Sequence, residues 1–183
     1  QEIAVGLPVK GGTGQVFILQ YGTNPASPSL PAQLSCARKF GVPDPLGNPA
    51  IGGFGTALVA VPDMNGDGLA ELVVGAPPDR AYLLFSPFDG STPPSVFTKV
   101  KVTTVSGVTK VDPNTSDGAS EFGQRVALVD VDGDGIKELA ITALQANVGR
   151  TQKAGQVLVY KLDGDGKTPI AVVYDTNPTA STE

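Results

Sequence analysis

Phe54-Gly55-Thr56-Ala57-Leu58-Val59-Ala60-Val61-Pro62, Asp63-Met64-Asn65-Gly66-Asp67-Gly68-Leu69-Ala70-Glu71, then Leu72-Val73-Val74-Gly75-Ala76-Pro77: these residues decide the fold. An apolar, β-prone run from Phe54 to Val61 leads into a loop of acids and glycines. A second apolar run follows and ends at Gly-Ala-Pro-Pro. Tyr82 to Phe85 reads as a third strand and Val96 to Val105 as a fourth. Short apolar runs bounded by turn residues suit strands rather than helices. Four such strands in succession make the blade of a propeller.

The pattern recurs. Phe122-Gly123 repeats Phe54-Gly55 after 68 residues, while Asp130 matches Asp63 and Glu138 matches Glu71 after 67. Glu2-Ile3-Ala4-Val5-Gly6-Leu7-Pro8 matches Glu71 to Pro77 at an offset of 69. The chain therefore reads as one segment, 1–183, of three repeats: approximately 1–53 with its first strand missing, 54–121 and 122–183. In the last repeat Val126 to Val129, Leu139 to Ile141, Val157 to Tyr160 and Ala171 to Tyr174 are the strands. Pro62 gives the middle repeat one extra residue, which a bulge in the opening strand would absorb. Ser86 to Pro94, Val111 to Ser120 and Asp175 to Glu183 are polar connections, and Gly41 to Gly53 reads as an inserted loop. Phe40-Gly41 is a decoy, because no acidic loop follows it at the right distance. The expected fold is all-β, a partial propeller of about three four-stranded antiparallel blades.

Two loops carry the chemistry. Asp63, Asn65, Asp67 and Glu71 fall at positions 1, 3, 5 and 9 of the first, and Asp130, Asp132, Asp134 and Glu138 at the same positions of the second. A tight loop turns alternate side chains onto one point. Gly68 and Gly135 at position 6 tolerate the positive φ such a turn needs. Leu69 and Ile136 at position 7 can offer a backbone carbonyl. Hard oxygen donors in a flexible loop suit Ca²⁺ better than the strict octahedron of Mg²⁺, so two calcium sites are expected. An EF-hand shares the D-x-D/N-x-D-G opening but needs a bidentate Glu at position 12 and helical flanks. Position 12 here is Val74 or Ile141, and the flanks are strands. A metal-free acidic hairpin could explain one loop; two at one phase of a repeat argue against it. Asp163-Gly164-Asp165-Gly166 lacks the acid at position 9 and reads as a plain turn.

Composition agrees. Gly 23 and Pro 16 are high in 183 residues, and charged residues are 17%. The two loops hold 7 of the 18 acids, leaving 11 acids against 13 bases elsewhere, so the net charge of −5 is a property of the loops. No basic stripe exists, which argues against nucleic acid. With His absent and Cys36 alone, common zinc sets, an internal disulfide and Ser-His or Cys-His nucleophile pairs are excluded. Cys36 is expected to be a small buried hydrophobe. No apolar run approaches the ~20 residues of a membrane helix. The chain starts at Gln1 with no basic-then-apolar leader, so that a signal peptide, if one existed, is already removed.

Phe54-Gly55, the acidic loop and Gly75-Ala76-Pro77 together resemble the FG-GAP repeat of the integrin α-subunit propeller and its bacterial relatives. The last repeat matches through Phe122-Gly123 and Asp130 to Glu138, with Thr142-Ala143-Leu144 in place of Gly-Ala-Pro. The resemblance covers nearly the whole chain. It implies a propeller, usually of about seven blades, with calcium in the loop joining the first and second strands of a blade. It does not imply integrin-like ligand recognition, and no Arg-Gly-Asp is present. The resulting expectation is a non-enzymatic, calcium-binding structural or adhesive module, extracellular, secreted or at the cell surface, acting on a protein or glycan ligand without membrane insertion. A carbohydrate-binding or accessory domain of a secreted polysaccharide-active enzyme is one alternative, although Tyr21, Tyr82, Tyr160 and Tyr174 offer few sugar platforms and Trp is absent. A self-assembling extracellular filament subunit is another, since an open arc of blades needs either the rest of a longer propeller or a neighbouring copy.

Overall fold

A computed structural model describes residues 2–9, 14–22, 33–40, 53–64, 66–78, 80–86, 95–98, 120–147, 153–162 and 169–173. These form eleven strands: β1 Glu2–Leu7, β2 Gln15–Gly22, β3 Gln33–Phe40, β4 Ala57–Val61, β5 Glu71–Ala76, β6 Arg80–Leu84, β7 Ser95–Thr98, β8 Phe122–Val129, β9 Glu138–Ala143, β10 Gln156–Tyr160 and β11 Pro169–Val173. Every pairing is antiparallel between sequence neighbours, giving three meander sheets in the orders β1-β2-β3, β4-β5-β6-β7 and β8-β9-β10-β11. The architecture is the expected partial propeller. Its first sheet has three strands, the counterparts of the second, third and fourth strands of the other two.

The middle sheet lies between the others, which explains its sequence. All six residues of β5 are buried, as are Ala81 to Leu84 of β6. A strand covered on both faces reads as a continuous apolar run rather than an alternation. On one side Leu72, Val74, Tyr82 and Leu84 pack with Val16 and Ile18 of β2. On the other, Val61, Val73, Ala81 and Leu83 pack with Leu139, Ile141, Leu158 and Tyr160 of the third sheet. The Phe54 ring meets Tyr82 edge-on, with centroids 5.5 Å apart and planes at 74°.

The Phe-Gly pairs work as docking wedges between sheets. Phe54 and Phe122 are fully buried, and the following Gly55 and Gly123 have φ of 91° and 90°, values that L side chains avoid. The turn brings the Gly55 carbonyl against Gly6 of β1 and the Gly123 carbonyl against Gly75 of β5, so close that a Cβ on either strand glycine would collide with it. The Phe122 N–H donates to the Pro78 carbonyl at 2.8 Å, tying the third sheet to the second. The repeated glycine of the Gly-Ala-Pro block is thus a contact requirement between neighbouring sheets.

Two expectations need correction, and a third is only partly covered by the described residues. The extra residue at Pro62 is not absorbed by a bulge: β4 and β5 pair without a shift from Ala57↔Gly75 to Val61↔Glu71, and Pro62 lies just beyond the ladder. Proline has no N–H to give a ladder, so exclusion into the loop is its natural place. The irregularity falls instead in β8, between Phe122 and Val126. Cys36 is exposed rather than buried, because the sheet face on which it lies is uncovered; its thiol donates to the Arg38 carbonyl at 3.3 Å. The fourth strand of the middle sheet is β7, Ser95–Thr98, with Lys99 to Val105 outside the described residues. Asp163 to Gly166, Gly41 to Gly52, Tyr174 and the tail to Glu183 also lie outside them.

Candidate metal centres

Both acidic loops close antiparallel hairpins at corresponding places, between β4 and β5 and between β8 and β9. Each begins beyond the last residue of its first strand. Each ends on a glutamate that is the first residue of the second strand, Glu71 opposite Val61 and Glu138 opposite Val129. The strand ladder fixes the glutamate while the loop supplies the remaining acids.

The first acid of each loop organises the turn. Asp63 accepts from Gly66 N–H and Gly68 N–H, both at 2.7 Å. Asp130 does the same with Gly133 at 2.6 Å and Gly135 at 3.0 Å. Gly66, Gly68, Gly133 and Gly135 all have positive φ, between 78° and 84°, as the tightness of the turn demands. Asp67 accepts from Leu69 N–H at 2.8 Å; Asp132 and Asp134 accept from Asp134 N–H and Ile136 N–H at 3.2 and 2.7 Å. An ionised carboxylate offers about four lone-pair sites, so these bonds shape the loop and leave acceptor capacity for a cation.

Asp63, Asp67 and Glu71 present carboxylate oxygens within 4.8 Å of one another, and so do Asp130, Asp132 and Glu138. Each set can hold a metal ion. The decisive residue is the glutamate. Glu71 and Glu138 are 1% and 0% exposed, and both carboxylate oxygens of Glu71 and Oε1 of Glu138 are buried without a hydrogen-bond partner among the described residues. Glu138 Oε2 accepts from Val131 N–H at 3.0 Å. A buried acid so poorly paired is costly. Burial first, then the Asp67 and Asp63 charges, push the Glu71 carboxyl above its ordinary range, with the Met64 backbone pulling the other way. A cation among these oxygens would supply the missing partner, and the donor set of carboxylates and backbone carbonyls is one that Ca²⁺ accepts.

The expected ligands are not equally placed. Asn65 lies outside the described residues. The Leu69 and Ile136 side chains are exposed, as fits residues whose useful atom would be the main-chain carbonyl. Asp134 falls outside the group that includes Asp130, Asp132 and Glu138, its Oδ1 turned to Ile136 N–H. Sequence reading missed Lys161, whose Nζ is 4.0 Å from Asp132 Oδ2; its place one residue beyond β10 gave only a faint signal. The two loops flank a groove of about 800 Å³, with Pro62, Asp63 and Met64 on one wall and Gly135, Ile136 and Lys137 on the other.

A family model for the FG-GAP repeat matches residues 54–90 and 122–160, the two segments that hold the Phe-Gly wedges and both acidic loops. The chain carries FG-GAP repeats. It is also similar to integrin alpha-4 of Xenopus laevis, 30% identical over 173 residues, which is 92% of this chain. The chain spans 14% of that relative's length. The FG-GAP matches thus fall on the first three strands of the second and third sheets, and the likeness to the integrin extends over the first sheet.

Proposed function

We propose that this chain is a calcium-binding, non-enzymatic module of an extracellular or cell-surface protein, and that it serves in adhesion to a protein or glycan partner. The observation that carries the metal part is the buried glutamate at the end of each loop, with at least one carboxylate oxygen lacking a hydrogen-bond partner among the described residues and two aspartates beside it. The Leu69 and Ile136 carbonyls, with Asn65 and Asp134, complete the ligand sets in this reading. Extracellular calcium is about millimolar, enough to fill even sites of 10⁻⁴–10⁻³ M. Once filled, such sites stabilise the folded state by mass action. The adhesive part rests on the likeness to an integrin α-subunit and on the repeat itself.

Calorimetric titration of chelator-stripped protein tests the metal reading. Two calcium ions per chain are expected, with magnesium binding far more weakly. No calcium uptake by folded protein would refute it. For the adhesive part, immobilised chain should retain cells or matrix protein in calcium and release them in chelator; equal retention by a variant with both loops disabled would remove the link between metal and adhesion.

A further inference from the structure

The strand ladders put one residue across from the glutamate at the end of each sheet. In the first sheet Glu2 pairs with Gln20. In the others, one step beyond the pairs Leu72↔Leu84 and Leu139↔Tyr160, the positions across from Glu71 and Glu138 are those of Phe85 and Lys161. A side chain at this place can reach the acids of the neighbouring strand end. Gln20 Nε2 donates to Glu2 Oε1 at 2.7 Å, and Lys161 Nζ lies 4.0 Å from Asp132 Oδ2. Phe85 has no charge to offer; it is half-buried and packs on the core between the second and third sheets.

The exchange of Phe85 for Lys161 goes with a second exchange inside the loops. Position 3 is Asn65 in the first loop and Asp132 in the second, so the first brings three acids and the second four. Carboxylates crowded in this way repel one another while no cation is present. The additional acid is the one that meets the lysine. Asp132 is engaged at both oxygens: Oδ1 accepts from Asp134 N–H at 3.2 Å, and Oδ2 faces the ammonium. Held there, its carboxylate lies within 4.8 Å of those of Asp130 and Glu138. The Lys161 and Asp132 side chains are 35% and 47% exposed, which makes the pair weak enough to exchange with another cation. Lys137, in the loop itself, lines the groove instead and forms no ion pair among the described residues.

We propose that Lys161 is the resident counter-ion of the second centre, holding Asp132 beside Asp130 and Glu138 until a divalent cation takes its place. This rests on the calcium reading of the loops and adds how one of them is regulated. The ammonium has two opposing effects. It positions one ligand in advance, and it competes for that ligand's charge when the cation arrives. Competition is the larger effect, because a positive charge beside a divalent site also opposes the ion directly. The fourth acid of the second loop therefore adds less affinity than its charge would suggest. The first loop has no such competitor at this place, since the residue there is Phe85. Removing the lysine charge should tighten calcium at the second loop by about two- to fivefold, the scale of one exposed ion pair.

Calcium titration of chelator-stripped protein, followed by amide NMR, tests this loop by loop. The Gly133 and Gly135 signals report the second loop, and Gly66 and Gly68 report the first as an internal control. Lys161→Met keeps the apolar stem and removes the charge. It should tighten the second loop and leave the first unchanged, while Lys161→Arg should stay near the unaltered chain. Lys137→Met removes the same charge from the same loop and should have the smaller effect. In an Asp132→Asn background, where position 3 matches Asn65, the gain from K161M should shrink, because its partner is gone. Equal gains from K161M and K137M would overturn the proposal, since general loop charge would then explain both. So would an unchanged or weakened second loop in K161M, or a gain that persists in full beside D132N. No calcium response at either loop of the folded, unaltered chain would overturn the calcium reading and this proposal with it; a normal response at both loops that ignores Lys161 would overturn this proposal alone.

Discussion

Glu71→Gln should change stability in opposite directions with and without calcium. In the absence of metal, Glu71 holds a buried carboxylate beside Asp63 and Asp67, whose charges and its own burial outweigh the support of the Met64 backbone. The glutamine removes that charge, and its NH₂ can donate to the aspartate oxygens clustered within 4.8 Å. Relieving an unsatisfied buried group is worth about 1–3 kcal/mol, so about 1 kcal/mol is a conservative gain. A chain of this length shifts by about 2–4 °C per kcal/mol, and the variant should melt that much higher in chelator. In saturating calcium the sign reverses. At a hundredfold excess over Kd, bound ligand contributes about 2.7 kcal/mol; for a site near 10⁻⁴ M that is about 10 mM calcium. Loss of one such site lowers the melting temperature by about 5–10 °C. Differential scanning calorimetry in the two buffers reads both effects. A drop of equal size in both would refute the reasoning, because it would mean that ordinary packing, not a cation, supports Glu71.

Metal-free protein should also lose stability as pH rises. Glu71 has a raised folded-state pKa, so its contribution is fully present below the unfolded value and is lost as pH rises through the folded one; urea midpoints in chelator across mildly acidic pH should fall for the unaltered chain and stay flatter for E71Q. Gly75→Ala puts a methyl where the Gly123 carbonyl lies and should destabilise by about 1–3 kcal/mol, whereas Gly22→Ala meets nothing within 4 Å and should change the denaturation midpoint little. Among the aspartates, Asp130→Ala should weaken calcium binding most, Asp134→Ala less, and Asp165→Ala not at all; a calorimetric titration that ranked Asp134 first would show that the second loop rearranges around its ion.

Most of the fold was legible because the second and third sheets repeat a pattern with a mechanical cause. Phe54-Gly55 and Phe122-Gly123 recur because a buried ring and a positive-φ glycine wedge each sheet onto the last. The runs in β5 and β6 are apolar throughout because both faces are covered. Pro62 was read as a strand residue because spacing alone cannot tell a bulge from a longer loop; the missing N–H settles it only once the ladder is known to end at Val61. Cys36 was misjudged for a different reason. The buried-cysteine tendency assumes a covered strand, and nothing local in Gln33 to Phe40 tells whether another sheet lies over it.

The loops follow the same division. Positions of acids are a matter of spacing, and spacing named Asp63, Asp67, Glu71, Asp130, Asp132 and Glu138, the six acids the fold gathers into two groups. It could not rank them. Equal offsets made Asp134 look equivalent to Asp67, and each accepts from the N–H two residues on, yet Asp67 joins its cluster and Asp134 falls outside its own. It could not show that the last acid in each loop is the buried one either. That follows from the ladder: a residue opposite Val61 or Val129 belongs to the sheet, so its carboxylate is carried under the loop rather than left at its tip. The buried glutamate is therefore where folding energy and metal binding meet. A substitution there tests both, whereas one at the exposed aspartates tests chiefly affinity.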